Sequence, residues 1–261
     1  MLGAGQTFLP DLSMAIAQRK VARAWKVHPH GQLIALDDNL YTVTGTVSMP
    51  VGQLPRRMTV VRIAGHQLVI FSAMSLADAE MARLEELGEP AYMIIPNDHH
   101  RMDAPAWKAR YPNIRVIGPA GAREKIEKVI LVDATAVDFR DSSVLFMSVA
   151  GTAQREAALQ VNGPSGTTLV LNDLIGNIRN ASGFSGWFLK MMGFAGDEPH
   201  IPFPIKRAVI ESKGQVRDQL LRWAALPGLQ RIIVSHGAII DEDPRGVLRR
   251  LAQTLTPGDR K

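Results

Sequence analysis

Two adjacent imidazoles with carboxylates beside them, Asp98-His99-His100 and Asp103, follow directly on the apolar run Tyr92-Met93-Ile94-Ile95-Pro96. The β-branched and aromatic content of that run predicts a buried strand, and Pro96 ends it because proline has no N–H for a sheet ladder. Imidazole nitrogens and carboxylate oxygens crowded just past a strand put several potential metal ligands at one edge of a sheet. The arrangement recurs twice. Thr167-Thr168-Leu169-Val170-Leu171 runs into Asn172-Asp173, and Arg231-Ile232-Ile233-Val234 runs into Ser235-His236-Gly237. Three buried strands that each hand over to a ligand-type residue offer more than a lone histidine would.

The chain that must bring these stretches together has 261 residues, 46% hydrophobic and 21% charged, which places it among globular proteins and excludes a disordered chain or a fibre. It contains no cysteine, so disulfides, thiolate nucleophiles and cysteine-bound zinc are excluded, and a metal must sit on histidine, carboxylate and water. No apolar run approaches the roughly 18 to 20 residues of a membrane span. Residues 1–17 lack the basic start and apolar centre of a secretory signal, so cytoplasmic residence is the expectation. The net charge of +5 would suit an anionic partner, yet the basic residues fall in separated pairs without interleaved aromatics, among them Arg19-Lys20, Arg56-Arg57 and Arg249-Arg250. They read as solvated surface, and nucleic acid is not an expected partner.

Read in order, residues 11–25 predict a short peripheral helix. Runs at Leu33–Leu36, Leu40–Thr44, Met58–Ile63 and Gln67–Phe71 predict a meander, with Met49 to Pro55 as a Gly- and Pro-bearing loop. Ser75 and Asp78 resemble a capping pair for a helix that ends at Gly88, and the Tyr92 strand follows, so strand–helix–strand predicts a parallel crossover. A second meander covers Val144–Val149, Glu156–Val161 and Thr167–Leu171. The apolar, glycine-bearing stretch from Asn177 to Phe203 predicts a short helical hairpin over the Asp173 loop, read as a satellite core cluster ahead of a substrate lid. A helix at Arg217–Ala225, the strand at Arg231 and a helix from Pro244 close the chain. No linker or repeat divides it, so one domain over 1–261 is expected, with its core at about 28–255 and residues 1–27 peripheral. Gly183-Phe184-Ser185-Gly186-Trp187 breaks the nucleophile-elbow pattern at its last position.

In this order of elements, roughly His28 to Leu255, the chain resembles the metallo-β-lactamase superfamily. The likeness rests on Asn97-Asp98-His99-His100-Arg101-Met102-Asp103, at the place of that family's His-x-His-x-Asp-His metal motif. It rests also on Leu169-Val170-Leu171-Asn172-Asp173, which looks like the strand ending in the metal-bridging aspartate, and on Ile233-Val234-Ser235-His236-Gly237, which looks like the strand ending in the last histidine ligand. Ala35-Leu36-Asp37-Asp38-Asn39-Leu40-Tyr41 resembles the opening strand. The resemblance implies an α/β fold, a four-layer αββα sandwich of two mixed β-sheets flanked by helices, with the site at their shared edge.

The family motif is incomplete here. With Asn97 in the place of the first histidine only His99 matches, Arg101 and Met102 replace the aspartate and last histidine, and no histidine stands near Gly151-Thr152 as the isolated middle ligand. The resemblance therefore implies a divergent branch holding one divalent ion on His99, His100, Asp173 and His236. Zinc is the first choice, with iron and manganese behind it, and Asp98 or Asp103 is left to relay a proton. The implied function is hydrolysis of an ester, thioester, amide or phosphoester in a small-molecule substrate. The alternative is a catalytically inactive member without metal, a ligand- or partner-binding module in which Arg101 pairs with Asp173 in place of the lost cation.

Overall fold

Leu68, Val69, Ile70 and Phe71 are each at most 1% exposed, and alternate side chains enter two different cores: Leu68 and Ile70 one, Val69 and Phe71 the other. A strand covered on both faces reads as a continuous apolar run because successive side chains point to opposite sides of the sheet. The same division holds at Met93 and Ile94, and in the other half of the chain at Leu169 and Val170 and at Ile232 and Ile233. The computed structural model describes residues 24–49, 52–179, 186, 189–191, 193 and 195–255.

The first sheet has six strands in sequence order. Strands β1 (Ile34–Asp37), β2 (Leu40–Met49), β3 (Gly52–Ile63) and β4 (Gln67–Phe71) form an antiparallel meander. Helix α1 (Asp78–Leu87) then returns the chain to β5 (Glu89–Ile94), parallel to β4, and α2 (Ala104–Arg110) leads to β6 (Arg115–Ile117), parallel to β5. A short α3 (Arg123–Glu127) precedes the second sheet. Its strands β7 (Val144–Ser148), β8 (Ala157–Gly163) and β9 (Gly166–Leu171) are antiparallel. After α4 (Phe203–Ala208) and α5 (Lys213–Ala224), strand β10 (Leu229–Val234) pairs parallel with β9 and completes the order β10-β9-β8-β7, and α6 (Pro244–Gln253) follows.

Three apolar clusters define the layers. Met81 and Leu84 of α1 and Trp107 of α2 cover the outer face of the first sheet. Val216, Leu220 and Trp223 of α5 and Val247, Leu248 and Leu251 of α6 cover the outer face of the second. Between the sheets lie Val61, Val69, Phe71 and Ile94 from one and Val144, Leu159, Val170 and Ile233 from the other. The order helix, sheet, sheet, helix is the αββα sandwich that the sequence implied.

Local differences from the sequence reading have physical reasons. The β2–β3 ribbon runs through Pro55, which the sequence reading placed in a loop. Pro55 lies opposite Thr46, whose N–H points away from β3 to Pro29 O at 2.9 Å. At such a pair the missing proline donor forfeits no ladder bond, and the Pro55 carbonyl also faces outward. Helix α1 begins after Ala77 with no side-chain cap, because the Ser75 hydroxyl is committed to Asp103 Oδ1 at 3.1 Å. Arg56 and Arg57 are not solvated surface. The side chain of Arg56 is 10% exposed and ion-paired, and Arg57 is 8% exposed. The expected peripheral helix over residues 11–25 falls almost wholly on residues outside those described, as do Phe184, Trp187, Phe188 and Phe194 of the apolar segment.

Candidate metal centre

The centre lies where the ends of β5, β9 and β10 meet. After β5, Pro96 O accepts the N–H of Ala157 at 2.9 Å, which ties the loop to the start of β8 in the opposite sheet. Asn97 then turns the chain: its Oδ1 accepts from the N–H of His99 at 2.9 Å and of His100 at 3.1 Å. This turn separates the two neighbouring imidazoles. His100 is directed inward, its side chain 11% exposed, and His99 outward, its side chain 72% exposed.

Past β9, Asp173 is 7% exposed, and past β10, His236 is 7% exposed. Asp173 Oδ1 lies 3.1 Å from Nε2 of His100 and 3.1 Å from Nε2 of His236, and the two nitrogens are 3.2 Å apart. Among the described residues these three side chains form the group able to hold a metal ion. Ligand atoms about 2.0–2.1 Å from a tetrahedral ion are about 3.3 Å from one another, so the spacing fits. Two imidazoles and a carboxylate, with no sulfur, suit zinc, iron or manganese.

Each member of the trio is held from behind. The Nδ1–H of His236 donates to Pro55 O at 2.6 Å, so the proton that the ring gives up on becoming neutral is the one on Nε2, which frees that lone pair toward the centre. His100 Nδ1 lies 2.7 Å from Ser72 Oγ, and Ser72 itself sits at φ 57 in the left-handed region, uncommon for a residue other than glycine. Asp173 Oδ2 accepts from Asn97 Nδ2 at 2.6 Å, which leaves Oδ1 to face the imidazoles. The loop carrying His236 turns at Gly237, φ 110, where a Cβ would stand 2.1 Å from Asn177 O. Arg57 reaches the same loop, donating through Nη2 to Gly237 O at 2.9 Å. Burial pulls its guanidinium down to about 10, so it stays cationic at neutral pH.

The electrostatics follow from burial and mutual contact. Burial works against ionised Asp173, but the charge of His100 and the hydrogen bonds from His100 and His236 outweigh it and hold the carboxyl well below its usual range. Burial lowers His100, and the opposing pull of Asp173 does not restore it. His236 is also disfavoured as a cation by burial, yet the hydrogen bond and charge of Asp173 and the Pro55 carbonyl raise it overall. Glu156, 1% exposed at the head of β8, is pushed well above the carboxylate range by burial and then by the charge of Asp173.

The structure thus brings together His100, Asp173 and His236 and leaves the remaining sequence candidates outside. Among the described residues His99 has Asp98 as its ion-pair partner, at 3.3 Å, because the Asn97 turn faces its ring to solvent. Asp98 is bound to Lys125 Nζ at 2.9 Å, and that lysine helps hold its carboxyl below the usual range against the opposing effect of burial. Asp103 is paired with Arg56 at 2.5 Å and with Ser75, and neither acid belongs to the group of three at the centre. The Arg101–Asp173 ion pair of the metal-free alternative does not form; Asp173 is met by His100, His236 and Asn97, and Arg101 Nη1 is buried without a hydrogen-bond partner among the described residues. Near Gly151, Thr152 is structural, its hydroxyl donating to Val149 O at 2.8 Å. Sequence reasoning missed Ser72, Glu156 and the Pro55 carbonyl, for which no spacing or periodicity gives a signal. It read Asn97 only as a lost histidine.

No family model matches the sequence, and no curated protein is significantly similar to it. Solved structures are similar in fold. A crystal structure of the metallo-β-lactamase DIM-1 exposed to ceftazidime has a TM-score of 0.59 at 13% identity, covering 88% of this chain and 100% of that one. The metallo-β-lactamase FIM-1 from Pseudomonas aeruginosa, in a mono-zinc form, has a TM-score of 0.58 at 13% identity over 90% of this chain and 100% of its own. A metallo-β-lactamase from Hirschia baltica gives 0.58 and 13% over 88% and 99%. Identity this low speaks to architecture alone: two mixed sheets of six and four strands between helical layers give this chain the metallo-β-lactamase fold, in a divergent form.

Proposed function

We propose that the protein is a mononuclear metal-dependent hydrolase of an ester, thioester, amide or phosphoester, with His100, Asp173 and His236 holding one divalent ion, zinc first. The observation that carries this reading is the convergence of two imidazole nitrogens and one carboxylate oxygen within 3.1–3.2 Å of each other, each anchored from behind. A bound divalent ion supplies Lewis acidity and a water whose pKa falls to about 7 in well-built sites. The chain's own residues do the positioning. Pro55 fixes the tautomer of His236, Ser72 fixes the ring of His100, and Asn97 turns Asp173 so that one oxygen remains for the centre. Metal analysis of protein purified without chelator, alongside a panel of ester, thioester, amide and phosphoester substrates, tests it. About one ion per chain and turnover lost in His236→Ala are expected; substoichiometric metal unchanged in that variant would end the proposal.

A second reading, a non-catalytic ligand- or partner-binding module, is favoured by the engagement of Asp98 with Lys125 and of Asp103 with Arg56, the two acids offered by the sequence as proton relays. Metal-dependent turnover on that panel, abolished by His100→Ala, excludes it.

A further inference from the structure

We infer that Asn97 limits the centre to one ion, its amide nitrogen filling the place between the carboxyls of Glu156 and Asp173 that a second cation would otherwise take. The inference rests on the single-ion reading above and deepens it.

Nδ2 of Asn97 donates to Glu156 Oε1 at 2.8 Å and to Asp173 Oδ2 at 2.6 Å, so both amide hydrogens are spent on carboxyl oxygens. Its Oδ1 is filled by the N–H groups of His99 and His100. Asn97, Glu156 and Asp173 are 2%, 1% and 7% exposed, so bulk water does not separate the two acids. Carboxyls this close and this buried need a proton, a cation or donors between them. Among the described residues no lysine or arginine forms an ion pair with either acid, and the other donors to the Glu156 side chain are also neutral: Asn172 Nδ2, on its far oxygen at 3.5 Å, and the backbone N–H of Asp173. One neutral amide therefore bridges two acids. It satisfies their lone pairs without adding charge, and it occupies the space.

Replacing that amide by a carboxylate of the same shape isolates the effect. Asn97→Asp keeps an acceptor for the two loop N–H groups, so His100 stays in place. It removes the two donors and adds a third carboxylate to the same space, a set that suits a hard divalent cation.

The test is to strip wild-type protein with chelator, titrate it with Mn2+ or Zn2+, and count bound ions by native mass spectrometry and calorimetry, with circular dichroism as the fold control. Wild type is expected to saturate at one ion even in large excess of metal and Asn97→Asp at two, with magnetic coupling between the Mn2+ ions in its electron paramagnetic resonance spectrum. Asn97→Asp combined with Glu156→Gln is expected to return to one. A wild type that takes two ions, or a folded Asn97→Asp that still takes one, overturns the inference while the single-centre reading of His100, Asp173 and His236 survives. A wild type that takes none overturns both. Should Asn97→Asp not fold, Asn97→Ser, too short to bridge the two acids, carries the same expectation of a second ion, and its absence overturns the inference.

Discussion

His236 Nδ1 donates to the carbonyl of Pro55 at 2.6 Å, across 181 positions of sequence. A strand extension of the first sheet thereby fixes the tautomer of a side chain delivered by the second. Removing the ring in His236→Ala takes away one of three inner donors. It is expected to weaken zinc binding by more than the roughly 10- to 100-fold that loss of an outer partner costs. Competition with a chromophoric chelator measures it.

His100 and His99 make opposite predictions, although they are neighbours. His100→Ala should abolish stoichiometric metal binding, whereas His99→Ala, at a ring 72% exposed, should leave affinity unchanged. Equal effects in the same competition assay would contradict the outward placement of His99.

Ser72 touches no candidate metal position but holds Nδ1 of His100 at 2.7 Å. Ser72→Ala is expected to lower metal affinity about 10- to 100-fold, with the number of ions unchanged.

Arg56 and Asp103 form a pair whose side chains are 10% and 6% exposed. Arg56→Met leaves a buried carboxylate without its cation and should cost about 3–5 kcal/mol in urea unfolding. Asp103→Leu in the same chain should recover much of that loss, and a double-mutant cycle measures the recovery.

Asp141 links the sheets, accepting from Ala64 N at 2.7 Å, Ser143 Oγ at 2.6 Å and Ser143 N at 2.8 Å. The Ser143 hydroxyl bond, ahead of the opposing effect of partial burial, holds its carboxyl below the ordinary 3.8. A folded value below the unfolded one contributes stability above the unfolded value, and that stability is lost as pH falls through the folded one. Ser143→Ala should therefore lower the urea midpoint at pH 7, and its gap from wild type should close as pH drops below 3.8.

The layers were legible in the sequence because strands covered on both faces leave continuous apolar runs, as at Leu68–Phe71 and Ile232–Val234, and because the polar residues begin where those runs stop. Which imidazole turns inward was not legible, since His99 and His100 differ only in how the Asn97 carbonyl oxygen gathers their N–H groups. Nor was the reach of β3 past Pro55. A proline in a run argues against a strand unless its missing donor points off the ladder, and only the pairing register shows that. Arg56 and Arg57 look like surface because their partners, Asp103 and the Gly237 carbonyl, lie 47 and 180 positions away.

His100 hangs from one sheet while Asp173 and His236 hang from the other, so a shared ion would act as a clasp across the joint between the two halves. Its binding energy would fall on the docked arrangement alone, because chains whose halves have parted cannot offer all three donors at once. Chelation would then loosen the seam before it loosens either half, and amide hydrogens such as that of Ala157, tied to Pro96 across the joint, would be the first to exchange faster.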